Sequence, residues 1–116
     1  MNPKKFVIPK EQIKPLIQNM GGCIASDRIM VDGQKVGYMY REAPSNDVDS
    51  GWVFLAGDET DNYMDTAENH GVYDVNTIAN YDSAIIPYLQ TPAPCAFTKR
   101  RWLGGFKPVD PPEARE

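Results

Sequence analysis

The sequence predicts a small α+β domain in which short helices pack against an antiparallel sheet of about four to five strands. Two runs of aromatic and β-branched residues, 36–41 and 52–56, are typical of strands. The polar stretch between them, residues 43–51, consists almost wholly of turn-forming residues, which indicates a connecting loop. Apolar residues at helical spacing occur on both sides of this pair, so the helices and strands are interspersed along the chain.

Length and composition predict a single globular domain. The chain has 116 residues, 41% of them hydrophobic, which is enough for one core. We assign residues 1–107 to this domain and residues 108–116, which are rich in proline and charge, to a disordered C-terminal tail. Since no apolar run is long enough for a membrane span and no secretion signal is recognisable, we expect a cytoplasmic protein in which Cys23 and Cys95 are reduced.

The first third of the chain predicts one helix and two short strands. Ile13, Leu16, Ile17 and Met20 follow helical spacing, and the Gly pair after them is a suitable helix end. Residues 23–26 and 29–31 have the composition of short strands. The Asp32-Gly33 dipeptide predicts a tight hairpin that joins residues 29–31 to the strand beginning near residue 35. With residues 52–56, these segments would form three neighbouring antiparallel strands.

The second half of the chain predicts short helices followed by a returning strand. Residues 60–68 place apolar side chains on one side and acids on the other, with a helix end at 69–71. Asp74 and Asp82 are suitable N-terminal caps for two further helical segments. Residues 95–98 form a candidate strand after a proline-rich stretch, and residues 102–106 form a loop or an edge segment.

Charge is distributed unevenly along the chain. The overall net charge is −4, but the segment between residues 42 and 98 contains no Lys or Arg. The acids in this segment are Glu42, Asp47, Asp49, Asp58, Glu59, Asp61, Asp65, Glu68, Asp74 and Asp82. A surface of one sign steers a partner of opposite charge, so this segment predicts a cationic partner. The alternative is that these acids cap helices, form turns and keep the protein soluble. Either way the segment disfavours nucleic acid, for which residues 99–101 offer the main basic patch.

No catalytic or metal-binding motif is recognisable. His70 is the single histidine, and an enzyme that uses it with Cys23 or Cys95 is the least favoured hypothesis. The oxygen-rich stretch 58–65 lacks the glycine and the terminal glutamate of a calcium-binding loop. We therefore predict no catalytic residues, no metal and no cofactor.

Five aromatic or cationic side chains carry specific expectations. Trp52 lies on a strand with two apolar faces, which predicts a core position, although with Tyr38 and Tyr40 it would also line a groove beside the sheet. Arg41 is expected to pair with a nearby acid. Trp102 follows a basic triplet in a Gly-rich segment and is the aromatic residue that we most expect to be exposed.

Several segments together resemble the bacterial immunity protein 33-like family, a domain family of unknown function. They are GCIASDRI, VDGQKVGYMYRE, DSGWVFLAGDETDNYM and YDVNTIANYDSAIIPYL. The resemblance covers roughly residues 22–97. The most specific element joins residues 49–52 with residues 57–59. The resemblance implies an α+β domain, found alone or beside toxin genes, that protects the producing cell by binding a cognate toxin. It implies no catalytic residues.

Charge and resemblance together predict a non-enzymatic immunity protein that binds a basic, nuclease-like toxin through an acidic face, because an acidic inhibitor mimics phosphate in a cationic cleft. The predicted contacts are the carboxylates of Asp58, Glu59, Asp61 and Asp65, with Tyr63 as an aromatic anchor. The alternative function is that of an accessory or regulatory domain that binds a peptide or small ligand in a groove beside the sheet. Neither nucleic acid nor membrane is an expected partner, and the sequence leaves the oligomeric state open.

Overall fold

The fold is a mixed six-stranded sheet with short helices, seen in a computed structural model that describes residues 4–102 and 104–112. Within these residues the strands lie in the order β4-β1-β3-β2-β5-β6. Their bounds are Gly22–Ser26 (β1), Tyr38–Arg41 (β2), Asp49–Leu55 (β3), His70–Asp74 (β4), Cys95–Lys99 (β5) and Phe106–Val109 (β6). The α-helices are Asp27–Met30 (α1), Asp61–Met64 (α2) and Val75–Tyr81 (α3), and 3₁₀ helices span Lys10–Gln12, Ala67–Asn69 and Ser83–Tyr88. The α+β class is confirmed, but the sheet is larger than predicted and is not purely antiparallel.

Strand β3 is the central strand, as its apolar character on both faces predicted. It pairs antiparallel with β2, with Met39 opposite Phe54, which confirms the predicted pair of strands; the loop between them is shorter than predicted, because residues 49–51 belong to β3. On its other side β3 pairs with β1 in parallel. The parallel pairing was not predicted, because the chain reaches β3 from β1 through α1 and β2 rather than through a tight hairpin.

Residues 29–31 belong to a helix and the chain after it, so the predicted strand and the hairpin at Asp32-Gly33 are both wrong. The Ser26 side chain accepts a hydrogen bond from the backbone N–H of Arg28 and caps α1. Gly33 has a φ of +80°, a left-handed conformation that glycine adopts readily after a helix. The Asp-Gly pair therefore follows a helix instead of joining two strands.

The helix predicted around residues 13–20 is also absent, and the reason lies in two asparagine side chains of α3. Asn76 Oδ1 accepts hydrogen bonds from the backbone N–H groups of Leu16 and Ile17, and Asn80 Oδ1 accepts one from Lys14. Both asparagine amides donate back to the carbonyl of Lys14. These bonds satisfy the extended backbone next to Pro15, which has no N–H to contribute to a helix.

The helices predicted after β3 are confirmed at α2, at α3 and at the 3₁₀ helix Ser83–Tyr88, where Asp82 accepts a bond from the N–H of Ala84. Two boundaries differ from the prediction. Residues 70 and 71, expected to end a helix, begin strand β4. Pro108 and Val109, expected in the tail, belong to the edge strand β6, which pairs with β5. Residues 113–116 of the predicted tail lie outside the described residues.

The core lies on one face of the sheet. Buried side chains of the strands, including Phe54, Met39 and Phe97, pack against apolar residues of the helices, among them Ile78 and Ile85. Cross-strand neighbours Ile24 and Val72 point to the opposite face and stay 43% and 78% exposed. The helical layer therefore covers one face. On the other face Val53 and Leu55 of the central strand are still buried, so the strand ends and the edge strands carry most of the exposed side chains. Among the described residues, no helix is both long and apolar enough to cross a membrane.

The asparagine contacts lead to a stability prediction. Replacing Asn76 or Asn80 with alanine removes bonds to the backbone of residues 14–17, so each variant is expected to lose about 1 kcal/mol of unfolding free energy in urea. Trypsin is expected to cleave faster after Lys10, because the segment detaches more often. Asn62→Ala, whose side chain makes no hydrogen bond within the described chain, is the control and should change stability by less than about 0.5 kcal/mol. Equal stability of all three variants would refute this explanation.

Candidate functional site

The five residues predicted to contact a partner lie in the connection that leaves β3 and in the single turn of α2. Thr60 begins this turn: its hydroxyl accepts a hydrogen bond from the backbone N–H of Tyr63 at 3.1 Å. Asp61 follows in the first turn, where the positive end of the helix favours a carboxylate. The predicted helix start beside β3 is therefore confirmed, with Thr60 as the capping residue.

Asp58 is engaged within the protein. Arg28 donates from Nη2 to Asp58 Oδ2 at 2.6 Å and from Nε to Asp58 Oδ1 at 3.2 Å. A further Arg28 nitrogen donates to Asp32 at 2.9 Å. The hydrogen bonds from Arg28 lower the pKa of the Asp58 carboxyl below its ordinary value. Since Arg28 is shared between Asp58 and Asp32, it compensates part of their charge, so Asp58 contributes less to an acidic surface than the sequence suggested.

Glu59 holds the loop after β3. Its two carboxylate oxygens accept hydrogen bonds from the backbone N–H groups of Ala56 at 2.8 Å and Gly57 at 2.9 Å. These bonds satisfy donors at the point where the chain leaves the sheet, with Gly57 at a φ of +97°. The placement of Glu59 is explained by this local role.

Asp61 and Asp65 remain available at the surface. Both are exposed, and neither takes part in an ion pair within the residues that the structure describes. Tyr63 lies between them but is partly buried, with its ring edge-on to His70 at 6.0 Å between centroids. Partial burial raises the pKa of the Tyr63 phenol. Asp61 and Asp65, at the first position and the C-terminal cap of α2, are four residues apart and share one side of this turn, whereas Tyr63 is two residues from each and packs toward His70.

The ten acids of the middle segment do not form one continuous face. Asp49, at the start of β3, and Asp74, at the end of β4, both align with Gly22 of β1, and Asp47 lies in the adjoining loop. The residues after β3, including α2, leave from its other end. A seven-residue strand spans roughly 20 Å, so the two acidic groups occupy opposite ends of the sheet.

Two other acids of this segment serve the fold. Asp82 is buried and accepts hydrogen bonds from the N–H groups of Val36 and Ala84. Asp49 accepts from Ser45 and Gly51, and these backbone hydrogen bonds lower its pKa. The expectation that part of the acidic content caps helices and orders turns is therefore confirmed for these residues.

The thiols are poorly suited to nucleophilic catalysis with His70. Cys23 lies opposite Tyr73, whereas His70 lies opposite Ser26, three residues further along β1, or roughly 10 Å. Burial raises the pKa of Cys23 and, less completely, that of Cys95. A raised pKa keeps a thiol protonated at neutral pH, so the geometry gives this hypothesis no support.

The groove expected beside Trp52, Tyr38 and Tyr40 is not formed as predicted. Trp52 is only 1% exposed and belongs to the core, as its strand position also predicted. A different groove of about 900 Å³ lies between the N-terminal segment, β4 and α3. Its apolar lining includes Phe6, Ile8, Met20, Met30 and Tyr81, and the exposed carboxylates of Asp47 and Asp74 also line it. Sequence patterns missed this groove because its walls are distant in the chain.

Together these features define a small α+β domain with helices on one face of a mixed sheet and free carboxylates on a surface helix. The comparison with family models gives a match to the Immunity protein Imm33 domain over residues 23–110, so the chain belongs to this family. The match includes residues 98–110, which the predicted family-like core of 22–97 left out. Searches of curated proteins and of solved structures gave no match. An immunity protein domain implies binding of a protein toxin, and the family is generally non-enzymatic.

The ion pair between Arg28 and Asp58 leads to a pH prediction. Because its pKa is lowered, Asp58 stays ionised to a lower pH than an ordinary carboxyl, so the ion pair is lost only as the pH falls through the lowered value. In Arg28→Gln the pKa of Asp58, measured by NMR titration, is expected to rise toward its ordinary value of about 3.9. The pKa of Asp49, which backbone donors lower, serves as the control and should not change. An unchanged Asp58 pKa would contradict the assigned ion pair.

Proposed function

We propose that this protein neutralises a cognate bacterial toxin by binding it through the acidic surface of α2. The observation that carries the proposal is the pair of exposed carboxylates, Asp61 and Asp65, four residues apart on one side of the α2 turn in a chain of the Imm33 family. Carboxylates without internal partners remain free to meet cations of another protein, and a partly exposed tyrosine supplies apolar contact area.

The charge of this surface favours a basic toxin, of which a nuclease is the best example. A nuclease holds phosphate groups with cationic side chains, and carboxylates at a similar spacing occupy the same cleft. Asp58 and Glu59 support this surface through contacts within the protein. Asp58 accepts a hydrogen bond from Arg28, and Glu59 accepts one from the backbone of the loop before Thr60. We therefore assign direct contact to Asp61, Tyr63 and Asp65, and an orienting role to Asp58 and Glu59.

The first test identifies the toxin and the contacting residues together. The protein is used to capture partners from its host at low salt, and a captured protein qualifies as the toxin only if its expression arrests growth and co-expression of this chain restores growth. Asp61→Asn/Asp65→Asn is expected to slow association with that toxin by about fivefold at low salt, and Tyr63→Ala is expected to speed dissociation by about tenfold or more. Both rates are read by surface plasmon resonance.

The matched control is Glu42→Gln/Asp47→Asn, which removes the same charge near the other end of the sheet. It should leave the association rate within about twofold of the unmodified protein. If this control slows association as much as the α2 variant, then net charge acts rather than a specific surface. If association is insensitive to salt and to both variants, the proposed acidic contact is wrong.

The groove supports a second candidate function, that of a ligand-binding accessory domain. Its volume of about 900 Å³ is in the range of small-molecule sites, and its lining combines apolar side chains with Asp47 and Asp74. Asp74 begins α3 without using its side chain as a cap, so its carboxylate is free to face a ligand. This combination suits a hydrophobic cation.

For this second function, octylammonium is expected to shift the NMR methyl signals of Val48 and Val72, whereas octanoate is not. Asp47→Asn/Asp74→Asn should weaken the interaction by about fivefold, because two exposed carboxylates contribute on the order of 1 kcal/mol. Asp61→Asn/Asp65→Asn carries the same charge change and should bind normally. Similar binding of octylammonium and octanoate would exclude a role for the carboxylates.

A further inference from the structure

The turn between β5 and β6 carries a cluster of positive charge that the acidic surface does not explain. We name this cluster the basic hairpin and define it by Lys99, Arg100, Arg101, Trp102 and Lys107. These residues are all exposed, and together with Thr98 they line a depression of about 470 Å³. The backbone N–H of Arg100 donates to the carbonyl of Gly105 at 2.9 Å and closes the turn.

The cations of the basic hairpin have no acidic partner within the described residues. Elsewhere Lys4 pairs with Asp27, and Arg28 pairs with Asp32 and Asp58. In the hairpin, no side chain of Lys99, Arg100, Arg101 or Lys107 takes part in an ion pair with the described chain. Within the described residues their charge is therefore uncompensated.

Trp102 adds an apolar surface to this charge. Its side chain is 84% exposed, whereas Trp52 is 1% exposed. The guanidinium carbon of Arg101 lies 5.3 Å from the centroid of the Trp102 ring, a cation–π contact that orients both side chains. Trp and Arg are the residues most enriched among the strongest contacts of protein interfaces.

The geometry limits which anion fits. In register, Leu55 of β3, Tyr38 of β2 and Thr98 of β5 are aligned, so the basic hairpin leaves the sheet at the same end as α2. From β3 to β6 there are three strand spacings, about 15 Å. A long polyanion such as a nucleic acid would approach Asp61 and Asp65 and be repelled by them. A short acidic segment of a folded protein is able to contact the cations of the basic hairpin without approaching Asp61 and Asp65. Its carboxylates accept paired hydrogen bonds from guanidinium groups.

From these observations we propose that the basic hairpin is a second docking surface, which binds an acidic segment of a protein partner with Trp102 as its anchor. The proposal goes beyond toxin binding by α2 and does not depend on it. Since both surfaces lie at one end of the sheet, one partner of ordinary interface size is able to cover both. Its surface would then carry a basic region beside an acidic one, which fixes the orientation of the complex.

The test uses the full chain, decaglutamate as the probe, and the fluorescence of Trp102. Decaglutamate is expected to shift the tryptophan emission at low salt, and Trp102→Phe should abolish this shift while leaving the emission of buried Trp52. Arg100→Gln/Arg101→Gln should weaken binding by about tenfold, because two guanidinium contacts are lost. Lys5→Gln/Lys14→Gln, an equal charge change at two other exposed lysines, should bind within about twofold of the unmodified chain.

Three outcomes would overturn the proposal: no emission change at millimolar decaglutamate, equal weakening by the two double variants, or tighter binding of a twelve-residue oligothymidylate than of decaglutamate. The last outcome would assign the basic hairpin to single-stranded nucleic acid. Circular dichroism of each variant establishes that its fold is intact. Because the assay contains no toxin and assigns the emission change to Trp102 through the Trp102→Phe variant, its failure is distinguishable from failure of the α2 contact.

Discussion

The burial of Trp52 joins the sheet to the helical layer, and much of the architecture depends on it. The indole stacks on Phe54 with ring centroids 5.7 Å apart, and its Nε1 donates to the carbonyl of Leu89 at 3.1 Å. Arg41 lies over the ring at 5.8 Å and donates to the carbonyls of Ser50 and Thr91. Arg41 also donates to the carbonyl of Leu89. The predicted pairing of Arg41 with an acid is therefore wrong, because backbone carbonyls accept its hydrogen bonds instead.

This arrangement decides where charge is able to lie. Since the helices and the N-terminal segment pack on the face that carries Trp52 and Phe54, the loops at the two ends of the sheet hold most of the exposed acids. One end combines α2 with the basic hairpin, and the other combines Asp47 and Asp74 with the groove. A strand length separates them, so the charge of one end is largely screened from a partner at the other under physiological salt. Each end is therefore a separate candidate surface.

Sequence patterns located elements that local rules control and failed where distant side chains intervene. Helix α3 was predictable because Val75, Ile78 and Ala79 repeat at helical spacing and are fully buried. The apolar spacing of residues 13–20 looked equally helical, but Asn76 and Asn80 satisfy that backbone in an extended form. Likewise, an exposed Trp102 was predictable from its Gly-rich, basic surroundings, whereas the pairing of Arg28 with Asp58, thirty residues apart, left no local signal.

The sequence by itself determined the α+β class, the central strand, the cap at Asp82 and membership of an immunity protein family, because each depends on residue types and their spacing along the chain; Asp74 precedes α3 as predicted, but its side chain makes no capping hydrogen bond. Only the tertiary structure decided which carboxylates are free. Asp58, Glu59, Asp61 and Asp65 look alike in the chain, but Arg28 and the backbone of residues 56 and 57 engage the first two. The availability of a charged group depends on the partners that folding brings to it, and those partners are set by packing between distant segments.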